Sequence, residues 1–322
     1  MVYNAGGLEI FYDRLNDPIV IPPRTAFDLP YDRIPLSKTL RKIETYTEVM
    51  KGVCDVAFIR RYALGDVLMF LPVAREFKEK HPDVKIHLIT NKDPARGFRF
   101  IEIFNEGIFS SFMSDTRTPR KYDVSFYLDN LVERDLYLEK YHSMHRVDIF
   151  REFFGYDQKQ EPVWSLEQPT VGTGGIVFCH SGSKPLKTIP KETVDYLVPR
   201  LEKIAPVYVM GENRKIPPDE TVKLLRDALV LITVDSAALW MAHFTRTPVV
   251  FLSGPSRGSE RISKHPLRPE GATEVSLSKL IGCVPCFEKM EACGSKYKCM
   301  YADKEKVWQE IEAAVERVRW KI

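Results

Sequence analysis

The chain has 322 residues, 44% of them hydrophobic and 28% charged, with a formal net charge of +3. That length exceeds one ordinary core and suits two domains, and the composition excludes a disordered chain. So small a positive charge leaves no footprint for nucleic acid, while a pI near 8.4 is compatible with an anionic substrate.

Residues 1–50 read as an extension packed on the body. LEIFYD and PIVIPP are short extended segments, Pro22, Pro23, Pro30 and Pro35 interrupt any regular pattern, and a helix is expected from Leu36 to Lys51. From Cys54 onward strands and helices alternate. CDVAFIR is a buried strand, a helix follows from Asp66 to Lys80, and VKIHLIT is the next strand. IEIFNE and YDVSFYLD continue this unit, and a helical stretch from Asn130 to Phe154 ends at Gly155, a C-cap residue. The Pro-, Gln-, Thr- and Gly-rich stretch from Tyr156 to Gly175 is the inter-domain linker.

The second half repeats the theme. GIVFCH, PVYVMG, ALVLITV and PVVFLSG are strands, separated by helices at PKETVDYLVPRLEKI, at 217–227 and at SAALWMAHFT; a periodic helix from Lys304 to Trp320 closes the chain. Such alternation implies parallel sheets with right-handed crossovers. The expected class is α/β: an extension (1–50) and two Rossmann-like domains (51–160 and 161–322) facing across a cleft. No run reaches the roughly 20 apolar residues of a membrane span, and the start lacks a signal-peptide apolar region. A cytoplasmic protein is expected, with contact at the inner face of a membrane left open.

Two strand-to-helix turns carry candidate chemistry, because free N–H groups at a helix start favour anions. At the first, Asp66 is either a helix cap or a general base at the carboxyl end of its strand. Gly65 lets the backbone come close to a ligand or adopt an unusual turn, and Arg60 or Arg61 is placed to hold an anionic group. At the second turn, HSGSKPLKTIPKE, Ser181, Gly182 and Ser183 offer hydroxyls and N–H groups to phosphate, and Lys184 or Lys187 offers charge. The Gly-x4-Gly-Lys-Ser/Thr loop of nucleotide triphosphatases is absent from the sequence. Asp235 and Ser236 begin a third helix.

Cys54 and Cys179 fall in strands expected to be buried. The other cysteines have the spacing Cys283-x2-Cys286-x6-Cys293-x5-Cys299. In a reducing compartment this cluster reads as a structural zinc site, with two disulfides or free thiols left open.

The run RYALGDVLMFLPVAREFKEKHPDVKIHLIT resembles the N-terminal motif of the family 9 glycosyltransferases, the heptosyltransferase-like proteins, in which a Gly-Asp pair precedes a helix with an apolar-Pro pair, here Leu71-Pro72. His180, Ser181, Ser183, Lys187 and Pro190 follow the order of that family's second motif. ITVDSAALWMAHFTRTPVVFLSGPS is similar to its third, with Asp235-Ser236 and Thr247-Pro248 in register. Three departures stand out: Ala237 for a glycine, Trp240 where histidine is common, and Arg246 for the glycine before Thr-Pro. Bulk at Ala237 and Trp240 would reshape the donor pocket, so base and sugar stay open. The likeness runs from Cys54 to Trp320 and extends to the cysteine segment.

The resemblance implies a GT-B fold and an inverting transfer from a nucleotide-diphosphate sugar, an ADP-sugar first, with no catalytic metal. Asp66 would be the base and Lys187 the leaving-group cation, with Lys184 in reserve. Ser181, Gly182, Ser183, Asp235 and Ser236 would hold the diphosphate. Gly211 and Glu212, beside Asn213, would lie at the nucleoside. The acceptor would be a glycan or glycolipid, and nucleic acid is not an expected partner. Rival expectations are a nucleotide-sugar epimerase or hydrolase, and a degenerate nucleotide-sugar-binding protein without turnover.

Overall fold

The computed structural model describes residues 2–4, 9–12, 18–21, 25–27, 40–42, 45–61, 63–90, 94–114, 122–129, 131, 144–165, 172, 174–211, 216–267, 271–283, 285–286, 293 and 297–319. Its strands are β1 (Val2–Asn4), β2 (Glu9–Tyr12), β3 (Pro18–Ile21), β4 (Thr25–Phe27), β5 (Leu40–Lys42), β6 (Asp55–Ile59), β7 (Lys85–Thr90), β8 (Ser111–Ser114) and β9 (Val124–Tyr127), then β10 (Ile176–Cys179), β11 (Val207–Met210), β12 (Val230–Thr233), β13 (Val249–Ser253) and β14 (Ala272–Ser276). The helices are α1 (Leu64–Leu68), α2 (Leu71–Lys80), α3 (Pro94–Asn105), α4 (Arg146–Phe153), α5 (Lys191–Leu201), α6 (Pro218–Asp227), α7 (Ala237–Thr245), α8 (Gly258–Arg261), α9 (Leu277–Leu280) and α10 (Lys304–Arg319). Among the described residues no helix is long and apolar enough to cross a membrane.

Two large sheets result, ordered β5-β1-β4-β9-β6-β7-β8 and β11-β10-β12-β13-β14. The pairings β9-β6-β7-β8 and all those of the second sheet are parallel. Parallel strands require crossover helices that cover both faces, which is why β10, β12 and β13 are wholly buried and apolar except for Thr233 and Ser253 at the strand ends. The extension departs from expectation. It joins the first sheet, β4 running parallel to β9 and β1 pairing antiparallel with both β4 and β5. In place of a helix over Leu36–Lys51 there are β5 and a 3-10 turn at Tyr46–Val49. The pairing of β9 with β4 needs only backbone groups, so no side-chain periodicity announces it. Of the helix expected from Asn130 to Phe154, α4 forms; residues 130 and 132–143 lie outside the described set.

The two halves share one hydrophobic core. It runs from Phe58, Phe70, Phe77 and Phe126 to Trp240 and Phe244 of α7 and to Leu231 and Phe251 on the second sheet. Phe104 of α3 stacks on Phe244 of α7 at 4.8 Å between ring centroids, a contact worth about 0.5–1.5 kcal/mol beyond the area it covers. By contrast Arg99 and Asp219, which pair between α3 and α6, are half exposed, and such bridges add little. A second core, on the far face of the second sheet, takes Val307, Ile311, Ala314, Val315 and Val318 from one stripe of α10.

At the seam lie three buried histidines and two tryptophans. His243 is 4.7 Å from His265, 4.4 Å from Trp164 and 5.3 Å from Trp240, ring to ring, and His145 approaches Trp240 at 5.8 Å. Burial drives His243 down to about 4 against the stabilising carbonyl of Leu239. Burial, and then His243 itself, hold His145 well below its ordinary range. An unfolded histidine takes its proton near 6.5, so between there and about 4 the unfolded chain binds more protons and folding weakens as pH falls. Each unit of that separation is worth about 1.4 kcal/mol. Urea unfolding followed from pH 7 to pH 4 should show this decline, and His243→Phe should flatten part of it; an unaltered slope in the variant would contradict the assignment.

Candidate active site

In the parallel strands β9-β6-β7-β8 and in the second sheet the chain reverses its direction of winding once each, and open parallel sheets bind ligands outside the strand ends at such points. In the first sheet the reversal lies between β6 and β9, in the second between β10 and β12. The turns singled out from the sequence follow β6, β10 and β12.

After β6, Asp66 sits in the first turn of α1 rather than before it. Its Oδ2 accepts the backbone N–H of Ala63 at 3.0 Å, and its Oδ1 lies 3.5 Å from the Arg60 guanidinium, with a quarter of the side chain open to solvent. Asp66 thus ties back the helix start while presenting a carboxylate. The two arginines separate. Arg60 is fully buried, donates to the carbonyl of Leu128 at 3.2 Å and lies over the Phe150 ring. Arg61 turns to β9, its backbone N–H and Nε donating to the two oxygens of Asp129 at 2.7 and 2.6 Å.

Gly65 serves a close approach to Trp240. A β-carbon there would lie 2.9 Å from Trp240 Cδ1 and 3.5 Å from Ala237 Cα. The start of α1 therefore abuts the start of α7, and Asp66 stands at the junction. Trp240 directs its bulk into the histidine–tryptophan seam. Arg246 ends α7 in the left-handed conformation, φ 53°, a backbone region that glycine, the residue the resemblance implies at this position, adopts without steric cost.

The loop after β10 is closed by its own backbone: Gly182 N–H donates to Lys187 O at 2.9 Å and Ile189 N–H to His180 O at 2.8 Å. A β-carbon at Gly182 would meet Lys187 Cβ at 2.7 Å and Asp235 O at 2.9 Å. That contact brings the turn against the end of β12, where Lys187 Nζ lies 3.1 Å from Asp235 Oδ2. Lys184 and Ser183 face outward. Ser181 lies at the end of β11, since a β-carbon on Gly211 (φ 102°) would be 3.0 Å from its Oγ. Ser236 is the N-cap of α7 by position and makes no capping bond; its hydroxyl meets Thr233 Oγ1 at 3.0 Å and Cys179 Sγ at 3.6 Å. Glu212 and Asn213 lie outside the described residues.

Asp235 is the most heavily bonded carboxylate of the site. Arg261 Nε and Nη2 donate to the same oxygen as Lys187, at 3.0 and 2.9 Å. Burial pushes this carboxyl up, yet Arg261 and then Lys187 outweigh it and hold it well below the usual range. Arg261, on α8, was not foreseen: a long-range ion pair has no characteristic spacing in a sequence.

The cysteines also differ from expectation in part. Cys179 is buried, but Cys54 is exposed just before β6, its N–H donating to Asp123. Cys54, Cys179 and Cys299 form no disulfide. Burial raises the Cys299 thiol to about 11, with Cys286, Cys293 and Cys283 adding to the rise, so these groups sit within electrostatic reach of one another. Among the described residues no three side chains already stand at metal-binding geometry. The segment backs the loop after β10: a β-carbon at Gly254 would lie 2.6 Å from Met300 Sδ, 3.4 Å from Cys299 Sγ and 4.0 Å from Leu186 O.

No family model matches the chain, and no curated protein matches it. Solved structures do. The iron-containing dodecameric glycosyltransferase TibC of enterotoxigenic E. coli is 16% identical over 83% of this chain and 77% of its own, with a TM-score of 0.60; it has also been solved with ADP-D-beta-D-heptose. The ADP-heptose lps heptosyltransferase II of E. coli is 15% identical over 82% of this chain and 99% of its own, TM-score 0.57. A glycosyl transferase of family 9 from Veillonella parvula is 14% identical over 82% and 97%, TM-score 0.55. The fold of this chain is thus the GT-B fold of these glycosyltransferases, with an N-terminal extension woven into its first sheet.

Proposed function

We propose that the chain is an inverting glycosyltransferase that moves a sugar, a heptose first, from an ADP-sugar to a hydroxyl of a glycan or glycolipid at the inner face of a membrane. The observation that supports this reading is the contact of α1 with α7 through Gly65, which brings the helix that carries Asp66 against the start of α7, the helix that follows Asp235 and its partner Lys187. TibC holding ADP-D-beta-D-heptose supports the choice of donor.

In this mechanism Asp66 takes the proton of the acceptor hydroxyl as its oxygen attacks the anomeric carbon. The bond from that carbon to the diphosphate oxygen breaks, and its electron pair leaves with the nucleoside diphosphate. Lys187, the N–H groups at the start of α7 and the hydroxyls of Ser181 and Ser183 stabilise the departing charge. These donors are fixed before reaction and supply the required charge without a catalytic metal. Gly211 lies toward the nucleoside, and the two domains, 51–160 and 161–322, close on the substrates.

The four cysteines are a structural element in this reading. Thiolates crowded together repel one another, and a divalent ion held by Cys283, Cys286, Cys293 and Cys299 relieves that cost. Zinc suits such a set; iron is the other outcome, because TibC is described as iron-containing. The ion would staple the segment behind Gly254 and the donor loop.

Asp66→Asn should lower transfer from ADP-heptose by roughly 100- to 10,000-fold while leaving ADP affinity nearly unchanged; wild-type turnover in that variant would refute the base. Product analysis with labelled donor separates transfer from epimerisation, hydrolysis or binding alone. Gly182→Ala should displace the Lys187 turn, cost about 1–3 kcal/mol of stability by overpacking and weaken ADP in calorimetry. Elemental analysis of the purified chain should find one zinc or iron per molecule, and Cys286→Ser should lose it and melt earlier. A metal-free wild type with the same melting temperature would remove the staple.

A further inference from the structure

The pair formed by Lys187 and Asp235 is one end of a buried chain of charges that begins on α4, in the other half of the molecule. Arg146 opens α4, whose Phe150 and Phe154 pack on Phe70 of the first core. Its Nη2 donates to Glu260 Oε2 at 3.2 Å. The same oxygen lies 3.5 Å from Arg261 Nη1. Arg261 grips Asp235 through Nε and Nη2, and Asp235 holds Lys187. Arg146, Glu260, Arg261 and Asp235 are each at most 7% exposed in their side chains and Lys187 is 12% exposed. Signs alternate along the whole chain.

The short helix α8, which supplies Glu260 and Arg261, is clasped on both sides. Toward the second sheet, Gly258 leaves no room for a side chain against Glu274 of β14. Toward the first, His145 Nε2 bonds the carbonyl of Arg261 at 3.3 Å, and Trp164 Nε1 donates to the carbonyl of Lys264 at 2.8 Å. Lys264 in turn faces Asp148 of α4 at 3.9 Å. A shift of α4 relative to the second sheet therefore moves Glu260 and Arg261, and Arg261 shares its acceptor oxygen with Lys187.

We propose that Arg261 is a positioning residue for Lys187, and that Arg146 and Glu260 set it according to how the two halves are docked. The relay makes the placement of the lysine depend on the seam, so that the donor turn is in order only when the halves are together. This rests on the reading of Lys187 as the diphosphate cation. Interactions of this kind are recognised by coupling between residues that do not touch, because deleting one member alters what another contributes.

The test is a double-mutant cycle on the full chain, with Arg146→Met removing the first charge, Lys187→Met the last, and both together. Urea unfolding without ligand should be non-additive, the shift caused by Arg146→Met shrinking once Lys187 is replaced; additive shifts would overturn the relay. ADP titrated calorimetrically into the same proteins should bind about tenfold more weakly to Arg146→Met, with no further loss when Lys187→Met is already present. Wild-type ADP affinity in Arg146→Met, or losses that multiply in the double variant, would overturn it too. A wild type that binds no ADP would sink the transferase reading, and the ligand-free cycle would still decide the relay. If Arg146→Met does not fold, the isosteric Glu260→Gln replaces it in both measurements.

Discussion

The approach of α1 to α7 is the constraint on which the rest of the site depends. Residue 65 has no side chain, and a methyl group there would already press on the Trp240 ring at 2.9 Å. Only because that contact is so close do the helix start that carries Asp66 and the start of α7 meet. The seam is stabilised chiefly by apolar burial, through Trp240, Phe244, Phe104 and Trp164, and hydrophobic packing of this kind is tolerant of direction but not of volume. A tryptophan at 240 is therefore read as a device that fixes the distance between halves, and its indole lies against the histidines of the seam.

Much of the sheet architecture was legible, for a physical reason. Strands buried on both faces read as near-continuous apolar runs, and VAF, IVFC, VLI and VVFL announce themselves. The turns were legible because glycine, a carboxylate or a small hydroxyl residue at a helix start is a local signal. Lys187 and Asp235 were nominated separately from two such signals, and the structure brings them within 3.1 Å. What was not legible depends on distant partners. The extension enters the first sheet through backbone pairing of β4 with β9, which no side chain encodes. Arg60 and Arg61 were indistinguishable in sequence, yet one is sealed beside Asp66 and the other faces Asp129, because one residue along an extended chain reverses the direction of the side chain. The value of Glu260 and Arg261 arises only when α4 is docked.

Burying charges is expensive, and a well-packed apolar replacement is often as stable as a buried ion pair. The alternating series from Arg146 to Lys187 thus needs a reason other than stability. Ion pairs differ from apolar contacts in direction: Arg261 reaches Asp235 with two N–H groups aimed at one oxygen, and that geometry fixes where the Lys187 ammonium can sit. A flexible lysine on a surface loop places its charge poorly, losing several rotamers on binding an anion. Tethered at Asp235, with its turn closed by Gly182 in front and backed through Gly254 by the cysteine segment, it is ordered in advance. Preorganisation of this sort lowers the cost of stabilising charge as it develops. The apolar seam sets how far apart the halves stand, and the buried charges convert that spacing into the position of a single cation.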